Sequence, residues 1–197
     1  MRVLGIYEWG LGEKTRRANA ALVGSGSTRR VLVSDTLLAE YSDDEIEVIL
    51  AHELGHHKHR DMLTVLGVEA TVMAVALGAA ALAVGAAWQR LGWAAPADVA
   101  GLPLIVLTAG AVVLLATPVV NLISRHHERR ADRFALALTD RPAAFVSALR
   151  RLGAQNLAES NPSTFSLWLF HSHPPVEQRI AAARAFTSSA MTFGARR

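Results

Sequence analysis

The sequence predicts a mainly α-helical fold with a small β-hairpin or sheet, interrupted by a two-helix transmembrane hairpin. Three observations predict it. Residues 43–59 carry helix-period apolar positions behind a strong N-cap. Residues 62–88 hold one charge, Glu69, and residues 99–123 hold none. Each run exceeds the ~20 apolar residues that a spanning helix needs. Short apolar runs at 20–23 and 31–33 flank Gly24, Ser25, Gly26 and Ser27, a turn-forming cluster.

Composition agrees. The 197 residues are 51% hydrophobic but only 6% aromatic, and mean hydropathy is +0.25, so the excess lies in Ala, Val and Leu. That balance is unusual for a chain folded in water alone. The length suits one domain over residues 1–197, with spans at about 62–88 and 99–123 inserted within it. There are no cysteines, which excludes a disulfide framework and a thiolate metal site. The formal charge is +3, and no basic run interleaves with aromatics, so nucleic acid is not an expected partner. The first fifteen residues lack the apolar run of a signal peptide.

In chain order, residues 17–34 read as a hairpin, and either an ordinary ribbon or a strand edge that pairs with an extended substrate would look this way. Residues 35–41 make a short connector. The next helix opens on Ser42 with Glu45 three residues on, a capping box, and Asp43 and Asp44 favour its N-terminal dipole. Ile46, Ile49, Leu50 and Leu54 supply its apolar stripe. The two apolar runs follow, rich in the Ala and Gly that suit close helix packing in lipid. They are joined by a polar link at 89–98. Residues 124–138 continue the second helix. Asp140 as N-cap and Pro142 in the first turn predict another helix to about 153. Residues 154–166 read as a loop, and 167–170 as an apolar patch belonging to a core or a membrane interface. A helix to about Phe186 and a frayed tail from Thr187 complete the chain. Both open ends of the apolar hairpin are basic, with residues 57–60 before it and Arg125, Arg129, Arg130 and Arg133 after it, so these ends are expected in the cytoplasm. Glu69 lies within the first run, where an acid either serves a function or reaches for water.

The chemistry centres on His52, Glu53, Leu54, Gly55 and His56, an H-E-x-x-H sequence on the capped helix. Residues four apart on a helix lie one above the other, so His52 and His56 can present two imidazoles to one ion, with Glu53 beside it as a base. This is the core of a zinc peptidase site, and such a site needs a third protein ligand. The eight histidines fall in three clusters: 52, 56, 57 and 59; 126 and 127; 171 and 173. His59 is ~10 Å along the axis from His52. The metzincin spacing requires Gly at 59 and His at 62, where this chain has His59 and Met62, so that class is excluded. Glu128, with Asp132 one turn on to hydrogen-bond a ligating imidazole, is the favoured third ligand; His126 and His127 are its rivals.

Five pieces in order carry a resemblance: Asn19-Ala20-Ala21; Val33-Ser34-Asp35-Thr36-Leu37-Leu38; the H-E-x-x-H at His52; Glu128-Arg129-Arg130-Ala131-Asp132; and His173-Pro174-Pro175 with Arg179-Ile180. Over about residues 15–185 the chain resembles the integral-membrane zinc metallopeptidases that include the CAAX prenyl protease and HtpX. The resemblance implies a helical zinc-metallopeptidase domain with one zinc per chain on His52, His56 and Glu128. It implies Glu53 as base, Asp132 behind a ligand, His173 at the oxyanion, Asn19, Ala20 and Ala21 as the substrate-pairing edge, and Arg179 supporting the substrate region. It further implies a multi-pass protein of the lipid bilayer that cuts peptides or membrane proteins, in quality control or CAAX-type processing. Oligomeric state is open. The alternative is a membrane zinc-binding or metal-transport protein, which would set ligands inside the spans, where Glu69 alone is ionisable.

Overall fold

The computed structural model describes residues 3–13, 15, 17–24, 26–155 and 162–194, with side chains to residue 186. The chain divides into two compact units. One comprises Met1–Asp61, Arg125–Thr164 and His173–Arg197; the other comprises Met62–Ser124 and Phe165–Ser172.

The first unit opens with a three-stranded sheet: β1 Ile6–Trp9, β2 Ala20–Val23 and β3 Arg30–Ser34, in the order β1-β3-β2. The expected hairpin is the antiparallel β2–β3 pair, with Ala20 opposite Val33 and Val23 opposite Arg30. Gly24, at φ 85°, begins its turn, and a Cβ there would lie 2.5 Å from the Thr28 carbonyl oxygen; Ser25 of the turn cluster lies outside the described residues. The parallel strand β1 was not foreseen. Its residues are all exposed, so no alternation of buried and polar positions marks it.

Ser34 ends β3 and caps the short helix α1, Asp35–Glu40. Helix α2, Asp43–Lys58, begins with the expected capping box: the Ser42 backbone donates to Glu45 Oε2 at 2.9 Å, and the Glu45 backbone donates to Ser42 Oγ at 3.4 Å. Helix α5, Pro142–Gln155, and helix α7, Val176–Gly194, complete the unit with the C-terminal part of α4, Leu102–Thr139. Val48 and Ala51 of α2 pack with Ala135 and Leu136 of α4, Phe145 and Leu149 of α5, and Ile180 and Ala183 of α7.

Several expected boundaries move. Pro142 does open α5, but Asp140 is not its N-cap. Asp140 takes φ 51° and its N–H donates to the Leu136 carbonyl at 3.0 Å, so it closes α4 in the left-handed conformation. A short polar side chain tolerates that geometry, which is why a cap residue stands there with the opposite duty. Helix α7 continues past Phe186 to Gly194. The expected loop at 154–166 gives way at Thr164 to a helix, α6, Thr164–Phe170; residues 156–161 lie outside the described residues.

The second unit holds the N-terminal part of α4 together with α3, Asp61–Ala87, and α6, each apart from its first residue. Both long helices are apolar and long enough to cross a membrane. Their large apolar side chains face outward: Leu82, Val106, Leu107 and Leu115 are all exposed. The second apolar run does not stop at its end but continues unbroken through the basic segment to Thr139.

Candidate metal centre

Two helices of the first unit build the site. In α2, the four-residue spacing stacks His52 and His56, with ring centroids 4.7 Å apart and their Nε2 atoms 3.1 Å apart. In α4, Glu128 brings its carboxylate to both: Oε2 stands 3.5 Å from His52 Nε2 and Oε1 stands 3.3 Å from His56 Nε2. One donor atom from each of these three residues lies within 4.8 Å of the others, an arrangement that could hold a metal ion. The structure thus brings together the three residues singled out from the sequence. Neither rival joins them: His126 is exposed, and His127 is buried with its Nε2 3.9 Å from Asp61. His59 ends α2 and turns its ring toward Phe134.

Gly55 is why the helices come this close. A Cβ there would lie 3.0 Å from Ala131 Cα and 3.2 Å from the Phe134 ring. Ala131 and Ala135 are fully buried on the facing side of α4. Small residues on both helices therefore set the separation that the two imidazoles and the carboxylate need to converge.

The outer nitrogens settle the chemistry of the donors. His52 Nδ1 stands 2.9 Å from Asp132 Oδ1, a close approach with the N–H off the ideal line. His56 Nδ1 pairs with Asp61 Oδ2 at 2.9 Å. A carboxylate at each Nδ1 favours a ring proton there, the tautomer in which both Nε2 atoms can bind a metal once it displaces their protons. Two imidazole nitrogens and a carboxylate converging in this way fit a divalent transition-metal ion. Each aspartate is in turn held by an arginine. Arg179 Nε donates to Asp132 Oδ2 at 2.8 Å and its other nitrogens reach Asp132 and Glu128, while Arg130 pairs with Asp61.

The electrostatics follow from these contacts. Burial opposes charge on His52, yet the contacts to Asp132 and Glu128 outweigh it and hold the imidazole up to about 9. Burial likewise opposes charge on His56, and Glu128 and Asp61 reverse it to a raised value. Burial would raise Glu128, but His173, His52 and His56 hold it well below the usual carboxylate range. Glu53 goes the other way: burial raises it, although the neighbouring histidines work against that. The cluster therefore concentrates negative charge beside two bases, the balance that a cation satisfies.

The remaining expected residues take these places. Glu53 lines a cavity of about 360 Å³ together with His52, His56, Glu128, His173 and Arg179. It also lines a second cavity, of about 370 Å³, with Ala21 and Leu22 of β2. His173 Nδ1 lies 3.1 Å from Glu128 Oε1 with its side chain largely exposed. Asn19 pairs with Ser34, its backbone N–H donating to Ser34 Oγ and its carbonyl accepting from the Ser34 N–H, both at 2.9 Å. Ala20 is buried and Ala21 half-buried, on a strand at the edge of the sheet. Glu69 is exposed on α3.

Sequence reasoning missed Asp61. The signal was present as the acid that ends the basic run at 57–60, five residues past His56, but it reads as an ordinary first-turn acid of the following helix. It also missed that Gly55 is required by packing and that Arg179 reaches two carboxylates.

The model of peptidase family M48 matches residues 5–187. The chain is 29% identical over 186 residues to the uncharacterized metalloprotease YhfN of Bacillus subtilis, covering 90% of this chain and 43% of that protein. It is 35% identical over 186 residues to a protease HtpX homolog of Methanopyrus kandleri, covering 84% of this chain and 55% of that protein. The chain thus spans about half the length of these curated relatives. Among solved structures, S. mikatae Ste24p superposes with a TM-score of 0.71 at 22% identity, covering 90% of this chain and 44% of that one, which is a likeness of fold. With the family model matching nearly end to end, the chain belongs to peptidase family M48.

Proposed function

We propose that this chain is the metallopeptidase domain of a membrane-bound endopeptidase, holding one zinc ion on His52, His56 and Glu128. The observation that carries the reading is the convergence of three donor atoms on one point, with Glu53 lining the same cavity. Zinc bound there would acidify a water and polarise the scissile carbonyl. Glu53, whose carboxyl burial pushes up, takes the water proton and passes it to the leaving amine. Asp132 and Asp61 keep the two imidazoles turned inward. His173, exposed on the cavity side of Glu128, donates to the oxyanion. The edge strand β2 and Asn19 just before it hold the substrate: Ala20 and Ala21 flank an extended peptide whose side chains reach the cavity shared by Ala21, Leu22 and Glu53, and Asn19, whose backbone is bound to Ser34, offers its side-chain amide. Arg179 acts on the substrate region through Asp132 and Glu128, both of which it contacts.

The apolar hairpin at about 62–88 and 99–123, inserted between the metal motifs of a single peptidase domain, anchors the chain in the bilayer with the basic ends and the site on the cytoplasmic side. Membrane proteins and CAAX-type C-termini are the substrate classes that this placement suits. Glu53→Gln tests the mechanism. It should keep its metal and lose cleavage of an unfolded protein substrate by roughly 10²–10⁴-fold; a variant that cleaves at near the parent rate sinks the assignment.

A further inference from the structure

Helix α6, just before the His173 motif, has no task in the proposed reaction. Its three aromatic side chains point outward, with Phe165 73%, Trp168 59% and Phe170 72% exposed. Phe165 and Trp168, three residues apart, share one face of the helix. Ser166 Oγ within the helix and Nε2 of His171, the residue just after it, are 3.2 Å apart.

The helix is tied to a particular level of the second apolar run. Asn121 of α4 is buried, and its Nδ2 donates to the carbonyls of Leu169 at 2.9 Å and Trp168 at 3.3 Å. These contacts lie within the second compact unit, to which α6 belongs. Asn121 sits two residues before the end of the uncharged run at Ile123, and Arg125 follows. At 1.5 Å per residue, the C-terminal carbonyls of α6 therefore lie within ~6 Å of the level where hydrocarbon gives way to charge. Trp concentrates at that depth in membrane proteins, because its ring suits the boundary between apolar and wet surroundings, and Phe beside it is a common apolar contact of helices that lie in that boundary. With seven residues α6 is far too short to cross, so a position along the boundary plane is what its length allows.

We infer that α6 is an interfacial anchor, docking Phe165, Trp168 and Phe170 into the headgroup boundary of the bilayer beside the second span. The inference rests on the membrane reading of the apolar hairpin. Its occupant is the lipid surface, chosen because the Asn121 bonds fix α6 at the end of the apolar run and because the exposed residues are aromatic rather than small.

The absence of cysteine from the sequence makes the test direct. A nitroxide is attached to the full chain at Phe165→Cys in phosphatidylcholine vesicles, and its relaxation by oxygen and by a polar nickel chelate is measured. Leu115→Cys, on the exposed face of the second run, and Glu47→Cys, on the exposed side of α2, provide the two references. The expected result at Phe165 is oxygen access with reduced nickel access, at a depth shallower than the label at Leu115. Nickel access equal to that of Glu47 overturns the anchor, and so does exclusion of both reagents, which would mean that a protein surface covers α6. If the label at Leu115 is itself open to nickel, the membrane reading falls with it; if that label is shielded while Phe165 is not, the anchor alone fails.

Discussion

The first unit closes cores around apolar side chains of the kinds that the second leaves exposed along its long helices. In the peptidase unit Leu37 and Ile180 are essentially buried, while in the hairpin unit Leu82 is 77% and Leu115 79% exposed. Charges reverse as well. Asp61, Glu128 and Asp132 are buried in the first unit, each against an arginine or a histidine, whereas Glu69 stands exposed in the second. A buried carboxylate is tolerable only with partners, and an exposed leucine face is tolerable only away from water. The first unit is organised around charge that must be neutralised. The second is organised around a surface that, on the membrane reading, the bilayer must cover.

The contrast can be broken from either side. Leu37→Ala should lower stability by ~2–5 kcal/mol, because it opens a cavity in a closed core. Leu82→Ala in detergent should stay within ~0.5 kcal/mol, since its side chain packs against little of the protein. Thermal unfolding of both variants checks the difference, and equal losses would place Leu82 in a protein core. Leu115→Arg should oppose insertion by ~3–4 kcal/mol and reduce the membrane-integrated fraction of newly made chain. A chain that folds in water would tolerate that exposed substitution with almost no change.

A smaller effect sharpens the charge side. Asp61→Ala leaves His56 Nδ1 without its carboxylate and should weaken zinc binding by about 10–100-fold, read by competition with a chelator. Asp61→Asn keeps an oxygen acceptor and should recover part of that loss. An unchanged affinity in both variants would reduce Asp61 to a helix-start residue paired with Arg130.

Local features were the most legible in the sequence. Ser42 and Glu45 marked the start of α2 because a capping box is contained within four residues. The four-residue spacing of His52 and His56, and of Glu128 and Asp132, is also local, so helical geometry alone put each pair on one face. What the sequence withheld depends on which helices meet. Residues 128 and 61 lie far apart along the chain, and it is the packing of α4 on α2, closest at Gly55 on Ala131, that brings them together. Strand β1 was invisible because its side chains are exposed on both sides of the pleat. Asp140 misled because the residue types that start helices also tolerate the left-handed turn that ends them. The sequence placed the apolar patch at 167–170 without choosing between core and interface, since apolar residues mark both.

Zinc stoichiometry of the purified chain in detergent tests most directly the proposed zinc site on His52, His56 and Glu128. The parent protein should carry one zinc per chain. Glu128→Ala should lose or loosen it while keeping its helical circular dichroism. Full zinc retention in folded Glu128→Ala would contradict the account and move the third ligand elsewhere.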